Sequence, residues 1–175
     1  EAAAVYSHAD GHDPQQVEDN VRALMEQGYR YIRIQMGGYG GWSGDSTYWA
    51  GVKPEGAPEG AYFDPRAYMR GTLEMMEHVR SAVGDEVELL HDIHERLQPM
   101  DAINLVKQLE QYRPFFIEDP FSPENIGWFR LLRQQTSVPI SMGELYNSPH
   151  EWLEPMTERL FDFIRIHISQ IGGIT

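Results

Sequence analysis

Short apolar runs alternate with amphipathic helical stretches six times along this 175-residue chain. Residues 4–8, 29–36, 87–94, 114–119, 139–144 and 161–169 read as strands. Helical patterns fill residues 14–27, 64–84, 99–112, 125–135 and 150–159 between them. The breaks carry their own chemistry: Gly28 and Gly84 end helices, and Asp64-Pro65 opens one, proline being favourable in a first helical turn. Regular β/α alternation leaves few architectures, because a parallel strand pair needs a crossover and the crossover helix lies on the sheet. The expectation is an α/β chain with a parallel sheet.

Side-chain parity separates a barrel from an open sheet. In Tyr31-Ile32-Arg33-Ile34-Gln35-Met36, the apolar set Ile32, Ile34 and Met36 alternates with Tyr31, Arg33 and Gln35. Ile164, Ile166 and Ile168 alternate in the same way with Arg165 and His167. Successive residues of a strand face opposite sides. The isoleucines suit the helix-covered side, so the charged residues face an enclosed polar space. An open doubly wound sheet buries both faces and favours continuous apolar strands. Arg and His late in a strand fit the C-terminal mouth of a (β/α) TIM-type barrel. A solvated edge strand is the plainer alternative. A complete barrel has eight strands and about 250 residues, so six strands in residues 1–175 read as a partial barrel catalytic domain. An N-terminal capping domain and the last barrel strands are expected to lie outside this chain, and Gly172-Gly173-Ile174-Thr175 reads as a cut in a strand-to-helix loop.

Composition narrows the chemistry. Asp and Glu number 27 against 14 Lys and Arg, a formal net charge of −13, and no basic stripe is present. That argues against nucleic acid and anionic membrane surfaces as partners. The absence of cysteine removes disulfides, thiolate nucleophiles and soft metal sites together. No apolar run approaches the ~20 residues of a membrane span, and no signal peptide is visible, so a cytoplasmic protein is expected.

Three strand ends turn acidic, at His91-Asp92-Ile93-His94, Ile117-Glu118-Asp119-Pro120 and Met142-Gly143-Glu144. Asp92 and Glu118 are 26 residues apart, and Glu118 and Glu144 are again 26 apart. βα units of constant length would set the three acids at one height around the mouth. Three clustered carboxylates repel one another unless protonated or neutralised. A divalent cation resolves that conflict, and carboxylate oxygens with room for water and substrate suit Mg²⁺. A single acid at any one of these positions would be an ordinary cap or loop carboxylate. His94 shares parity with Asp92 and is a candidate for proton transfer, its protonated form favoured by the neighbouring acids. His91, of opposite parity, is expected to pack against a helix.

As an ordered group these segments resemble the mannonate dehydratase branch of the enolase superfamily. The resemblance is carried by Leu89–Leu97, by Glu118-Asp119-Pro120 with Pro123-Glu124-Asn125, by Phe129–Gln134, by Gly143-Glu144 with Asn147-Ser148, and by Asp162-Phe163-Ile164-Arg165. It runs from Val5-Tyr6-Ser7-His8 to the last residue, interrupted by the loop after the second strand. It implies that Asp92, Glu118 and Glu144 ligate Mg²⁺ and that His94 is the general acid. It also implies that Arg165, Glu144 and Gln35 contact the substrate. Arg33-Ile34-Gln35 stands where racemase-type relatives carry Lys-x-Lys, and this branch uses an Arg there with a Tyr of the following loop as the base. At the family's spacing, 12 residues after Arg33, this chain has Asp45; Tyr48, which follows Thr47, is the favoured base and Tyr39 the other candidate.

The implied reaction is Mg²⁺-dependent removal of water from a sugar acid of the D-mannonate or D-gluconate type, giving a 2-keto-3-deoxy acid, by a full-length homo-oligomer. Racemisation or epimerisation of a hydroxy acid is one alternative. A catalytically weak, metal-binding regulatory homologue is another, motivated by the displaced Tyr. Residues 37–60 hold eight of the 16 glycines together with Trp42 and Trp49, and no Gly-Lys-Ser/Thr follows. A phosphate loop is therefore not supported; an aromatic lid, a variable surface loop or an oligomer contact would each fit.

Overall fold

The computed structural model describes residues 3–37, 55–56 and 63–173, which divide into two compact units, Glu1–His91 and Asp92–Thr175. Tyr39, Tyr48 and most of the glycine-rich segment lie outside the described residues.

The first unit holds β1 (Tyr6–Gly11), α1 (Pro14–Glu26), β2 (Tyr31–Met36), α2 (Pro65–Val83) and most of β3 (Glu88–Asp92). Both helices begin on the same device. Asp13 Oδ1 accepts from Gln16 N at 2.8 Å, and Asp64 Oδ1 accepts from Arg66 N at 2.8 Å, each followed by proline at the first helical position. An Asp N-cap satisfies amide donors that no earlier carbonyl can reach, and proline there sacrifices none. β1 and β2 pair in parallel over six residues, from Tyr6 opposite Tyr31 to Gly11 opposite Met36, and β2 pairs in parallel with β3. Val17 and Val21 of α1, Ile32 and Ile34 of β2, Met75, Met76 and Val79 of α2, and Leu89 of β3 are all fully buried. The polar parity of β2 is enclosed as well: Arg33 is 3 % exposed and Gln35 is buried. That excludes a solvated edge strand at this position.

The second unit continues from Asp92 through α3 (Pro99–Leu109), a 3₁₀ turn at Glu110–Tyr112, β4 (Phe116–Glu118), α4 (Ile126–Gln135), β5 (Ile140–Met142), α5 (Pro149–Thr157) and β6 (Phe163–Ile164). Its strands are shorter than the apolar runs suggest, and their ladder is carried on by single bonds past the strand ends. Ile93 N donates to Glu118 O, Asp119 N to Ser141 O and Arg165 N to Met142 O, each at 3.0 Å. Leu105, Val106 and Leu109 of α3, Phe129 and Leu132 of α4, and Ile117, Ile140 and Met142 form its core. Phe121 meets Phe129 edge-on at 5.1 Å between ring centroids, the geometry that the ring quadrupoles favour.

Two expectations are corrected. β6 spans two residues rather than residues 161–169, and Ile164 and Ile168 are exposed rather than helix-covered. Among the described residues, the segment after β6 forms turns and no helix that could cover them. The second correction concerns register. Glu118 lies opposite Ser141, so Glu144 stands three residues beyond the equivalent position on the next strand. Equal spacing does not mean equal height here; a turn has to bring Glu144 back.

Candidate functional site

That turn is built on Gly143, whose φ of +135° side chains rarely tolerate. A Cβ added there would lie 2.8 Å from the backbone oxygen of Arg165, so glycine allows β5 and the end of β6 to approach. The chain then reverses through Leu145-Tyr146-Asn147, with Tyr146 N bonding back to Gly143 O at 3.1 Å. Fully buried Tyr146 anchors the loop from beneath.

The ends of β3 and β4 use left-handed backbone on residues that are not glycine. His94 has φ +54°, Glu95 φ +57° and Asp119 φ +42°. Such conformations are costly for side-chain-bearing residues and collect at functional sites. At Asp119 the consequence can be traced. Adjacent strand residues normally point to opposite faces, yet the turn brings the Glu118 and Asp119 carboxylates to the same cluster. Oxygens of Glu118, Asp119 and Glu144 lie within 4.8 Å of one another. Asp119 also belongs to a second group, with Asp92 and a ring nitrogen of His94, within the same limit.

Of the expected ligands, then, the structure joins Glu118 with Glu144 and places Asp92 beside His94, with Asp119 common to both groups. Asp119 was not among the expected ligands. The signal was in the sequence, as the second acid of Glu118-Asp119-Pro120; its left-handed φ was not.

The electrostatics follow from this crowding. Asp119 is 2 % exposed, and its Oδ1 is buried without a hydrogen-bond partner. Burial first, then the charges of Asp92 and Glu118, push its carboxyl up to about 8. Burial likewise raises Glu95 to about 7, although His94 opposes the shift. His94 Nδ1 lies 3.5 Å from Asp92 Oδ2, and that contact holds the imidazole above its ordinary value against the opposing effect of desolvation. With 39 % of its side chain exposed, His94 can meet a molecule arriving from solvent.

Cations line the other side. Arg165 Nε lies 2.8 Å from Glu118 Oε1, and Arg165 Nη1 contacts Glu144 Oε2. His167 Nε2 sits 3.0 Å from Glu144 Oε1. The shared parity of Arg165 and His167 had put both at the mouth, although His167 was given no role. The donor set is carboxylate oxygen with one imidazole, the chemistry of a hard divalent cation. The buried, unpartnered Asp119 Oδ1 is the kind of atom that such a cation would satisfy.

Arg33 and Gln35 belong to the first unit. Arg33 Nη2 is 3.3 Å from His8 Nδ1, and its guanidinium carbon lies 6.0 Å from the centre of the Tyr6 ring. His91, expected to pack against a helix, does so: its Nε2 is 3.0 Å from Tyr68 Oη on α2, and its Nδ1 donates to Ile34 O at 2.9 Å.

A family model described as "Enolase C-terminal domain-like" matches residues 16–175. A D-galactonate dehydratase family member of Salmonella virchow is 49% identical over 98% of this chain and 44% of its own length. Another, from Enterocloster bolteae, is 46% identical over 100% of this chain and 43% of its own. An enolase of Pantoea ananatis, solved with bound D-gluconate and Mg, superposes with a TM-score of 0.90 at 46% identity. That match covers 98% of this chain and 44% of the enolase. The chain spans less than half the length of the relatives it matches. An L-Ala-D/L-Glu epimerase of Bacillus subtilis, at 17% identity and a TM-score of 0.72 over 98% of this chain and 40% of the epimerase, shares the fold alone.

Proposed function

Because this chain belongs to the enolase C-terminal domain-like family and forms part of its (β/α) barrel, we propose that the complete protein is a Mg²⁺-dependent sugar acid dehydratase. One observation carries the reading: acidic oxygens from successive strand ends converge within 4.8 Å, with His94 on one flank, and Arg165 reaches two of the acids. The relatives named as D-galactonate dehydratase family members and the gluconate-bound enolase support the substrate class. D-gluconate and D-mannonate are the substrates we favour, with a 2-keto-3-deoxy acid as product.

Asp92, Glu118 and Glu144 would hold the cation, and Asp119 is positioned to serve the same cluster. Held there, Mg²⁺ would supply positive charge that favours loss of the proton next to the substrate carboxylate. The remaining work falls to the chain. Tyr48 or Tyr39, with Arg33, takes the proton next to the carboxylate, and Gln35 and Arg165 hold the acid's oxygens. His94, kept on the acid side by Asp92, delivers a proton from Nε2 to the departing hydroxyl, so that water leaves. The raised affinity of His94 for its proton suits this task near neutral pH. We further propose that the complete protein is a cytoplasmic homo-oligomer with a capping domain and further barrel strands. Among the described residues no helix is long and apolar enough to cross a membrane.

The test incubates the complete protein with Mg²⁺ and D-gluconate, D-mannonate or D-galactonate, and measures 2-keto-3-deoxy acid. Turnover is expected for at least one acid; EDTA and Glu144→Gln should each abolish it. Undiminished activity of Glu144→Gln would reject the ligand assignment. Exchange of the substrate proton without keto acid would favour a racemase, and inertness toward the whole panel would favour a binding protein.

A further inference from the structure

Both carboxylate oxygens of Glu144 already carry a basic partner. Arg165 Nη1 contacts Oε2, and His167 Nε2 lies 3.0 Å from Oε1. The same guanidinium reaches Glu118 Oε1 with its Nε at 2.8 Å. Arg165 therefore bridges two acids of a three-carboxylate group whose oxygens lie within 4.8 Å of one another. The Glu118 side chain is fully buried and that of Arg165 is 27 % exposed, so their attraction is screened less than at an open surface. Backbone contacts fix the root of the arginine. Arg165 N donates to Met142 O at 3.0 Å, and its own carbonyl oxygen packs against Gly143.

A guanidinium held against these carboxylate oxygens offsets the negative charge, and fills the space beside them, that a divalent ion would use. Full engagement of that ion with Glu118 and Glu144 is therefore opposed by the arginine. The planar fork of arginine can hold two separate acids at once, which a lysine ammonium does less well.

We propose that Arg165 is a built-in counter-ion that competes with the divalent cation for Glu118 and Glu144, and so sets the metal affinity of the site. In the same role it relieves the repulsion among the acids whenever the cation is away. The inference rests on the metal-site reading above and deepens it, adding an internal competitor to the ligands.

The test uses the complete protein with Mn²⁺ alone as probe, following binding by titration calorimetry and the thermal midpoint in EDTA and in excess Mn²⁺. Wild type, Arg165→Gln and Arg165→Lys are compared, each purified with metal and then stripped. Arg165→Gln should bind Mn²⁺ about tenfold more tightly, equivalent to about 1.4 kcal/mol. Its midpoint in EDTA should fall below wild type, while its Mn²⁺-loaded midpoint stays close to wild type. Arg165→Lys should lie between the two proteins. A Gln variant that folds only with Mn²⁺ would be the extreme form of the expected result. Unchanged or weaker Mn²⁺ binding by Arg165→Gln, with wild type binding normally, would overturn the competitor role and leave the metal site standing. Failure of wild type to bind Mn²⁺ would overturn both. A merely structural arginine would lower stability without tightening metal binding, so the direction of the affinity change separates the two roles.

Discussion

Two buried polar environments, one in each unit, are built in opposite ways. In the first, β1 and β2 pair over six residues, and His91 is satisfied by Tyr68 on one ring nitrogen and by Ile34 O on the other. In the second, β4 and β5 are three residues long and β6 is two. There Asp92, Glu118, Asp119 and Glu144 crowd together, and three side-chain-bearing residues adopt left-handed backbone at the strand ends. Paired hydrogen bonds make a polar group inert and structural. Like charges in low dielectric keep acids reactive, and the surrounding fold must bear the cost. The histidines of β3 and its loop show the contrast within four residues: His91 is sealed in a pair of bonds, whereas His94 is half-open beside a carboxylate.

The contrast can be broken most severely at Gly143. Gly143→Ala should destabilise the protein by about 3 kcal/mol, since a Cβ would meet backbone at 2.8 Å on a φ that alanine avoids. Urea unfolding measures this, and a loss under about 1 kcal/mol would show that the approach of β5 to the end of β6 is not tight.

The charge conflict is read through pH. Asp119 binds its proton more tightly folded, at about 8, than its ordinary value of 3.8. Between those values the folded state holds more protons than the unfolded one, so stability falls as pH rises from about 4 to about 8. In EDTA, Asp119→Asn should flatten that slope and leave the variant about 2 kcal/mol more stable than wild type at the upper end. Each unit of displacement is worth about 1.4 kcal/mol, and relaxation of the neighbouring acids absorbs part of the total. Parallel slopes in the two proteins would show that Asp119 does not bear the conflict. The smallest effect belongs to the satisfied imidazole of the first unit. Tyr68→Phe removes one partner from a buried imidazole and should cost about 1–2 kcal/mol, with no change in metal binding.

Much of this was legible in the residues. The β/α order, the polar parity of Arg33 and Gln35, the packing of His91 and the clustering of acids at strand ends all follow from periodicity and local chemistry. The register did not: Glu118 opposite Ser141 depends on how neighbouring strands slide, which no local pattern records. Asp119 was missed for a related reason. Alternation presumes extended backbone, and a single φ of +42° suspends it. The pairing of Arg165 with Glu118 and Glu144 was out of reach as well. Parity placed the arginine at the mouth, but not which acids its fork would grasp.

The turn at Asp119 has a consequence for anyone handling the protein at the bench. By folding two acids of one dipeptide into the same cluster, it sets a carboxyl that keeps its proton up to about pH 8 beside one already held by Arg165, so a divalent ion has a proton to displace there. Any affinity measured for a divalent ion at this cluster will therefore rise as pH approaches about 8, and values from different buffers become comparable only at a common pH.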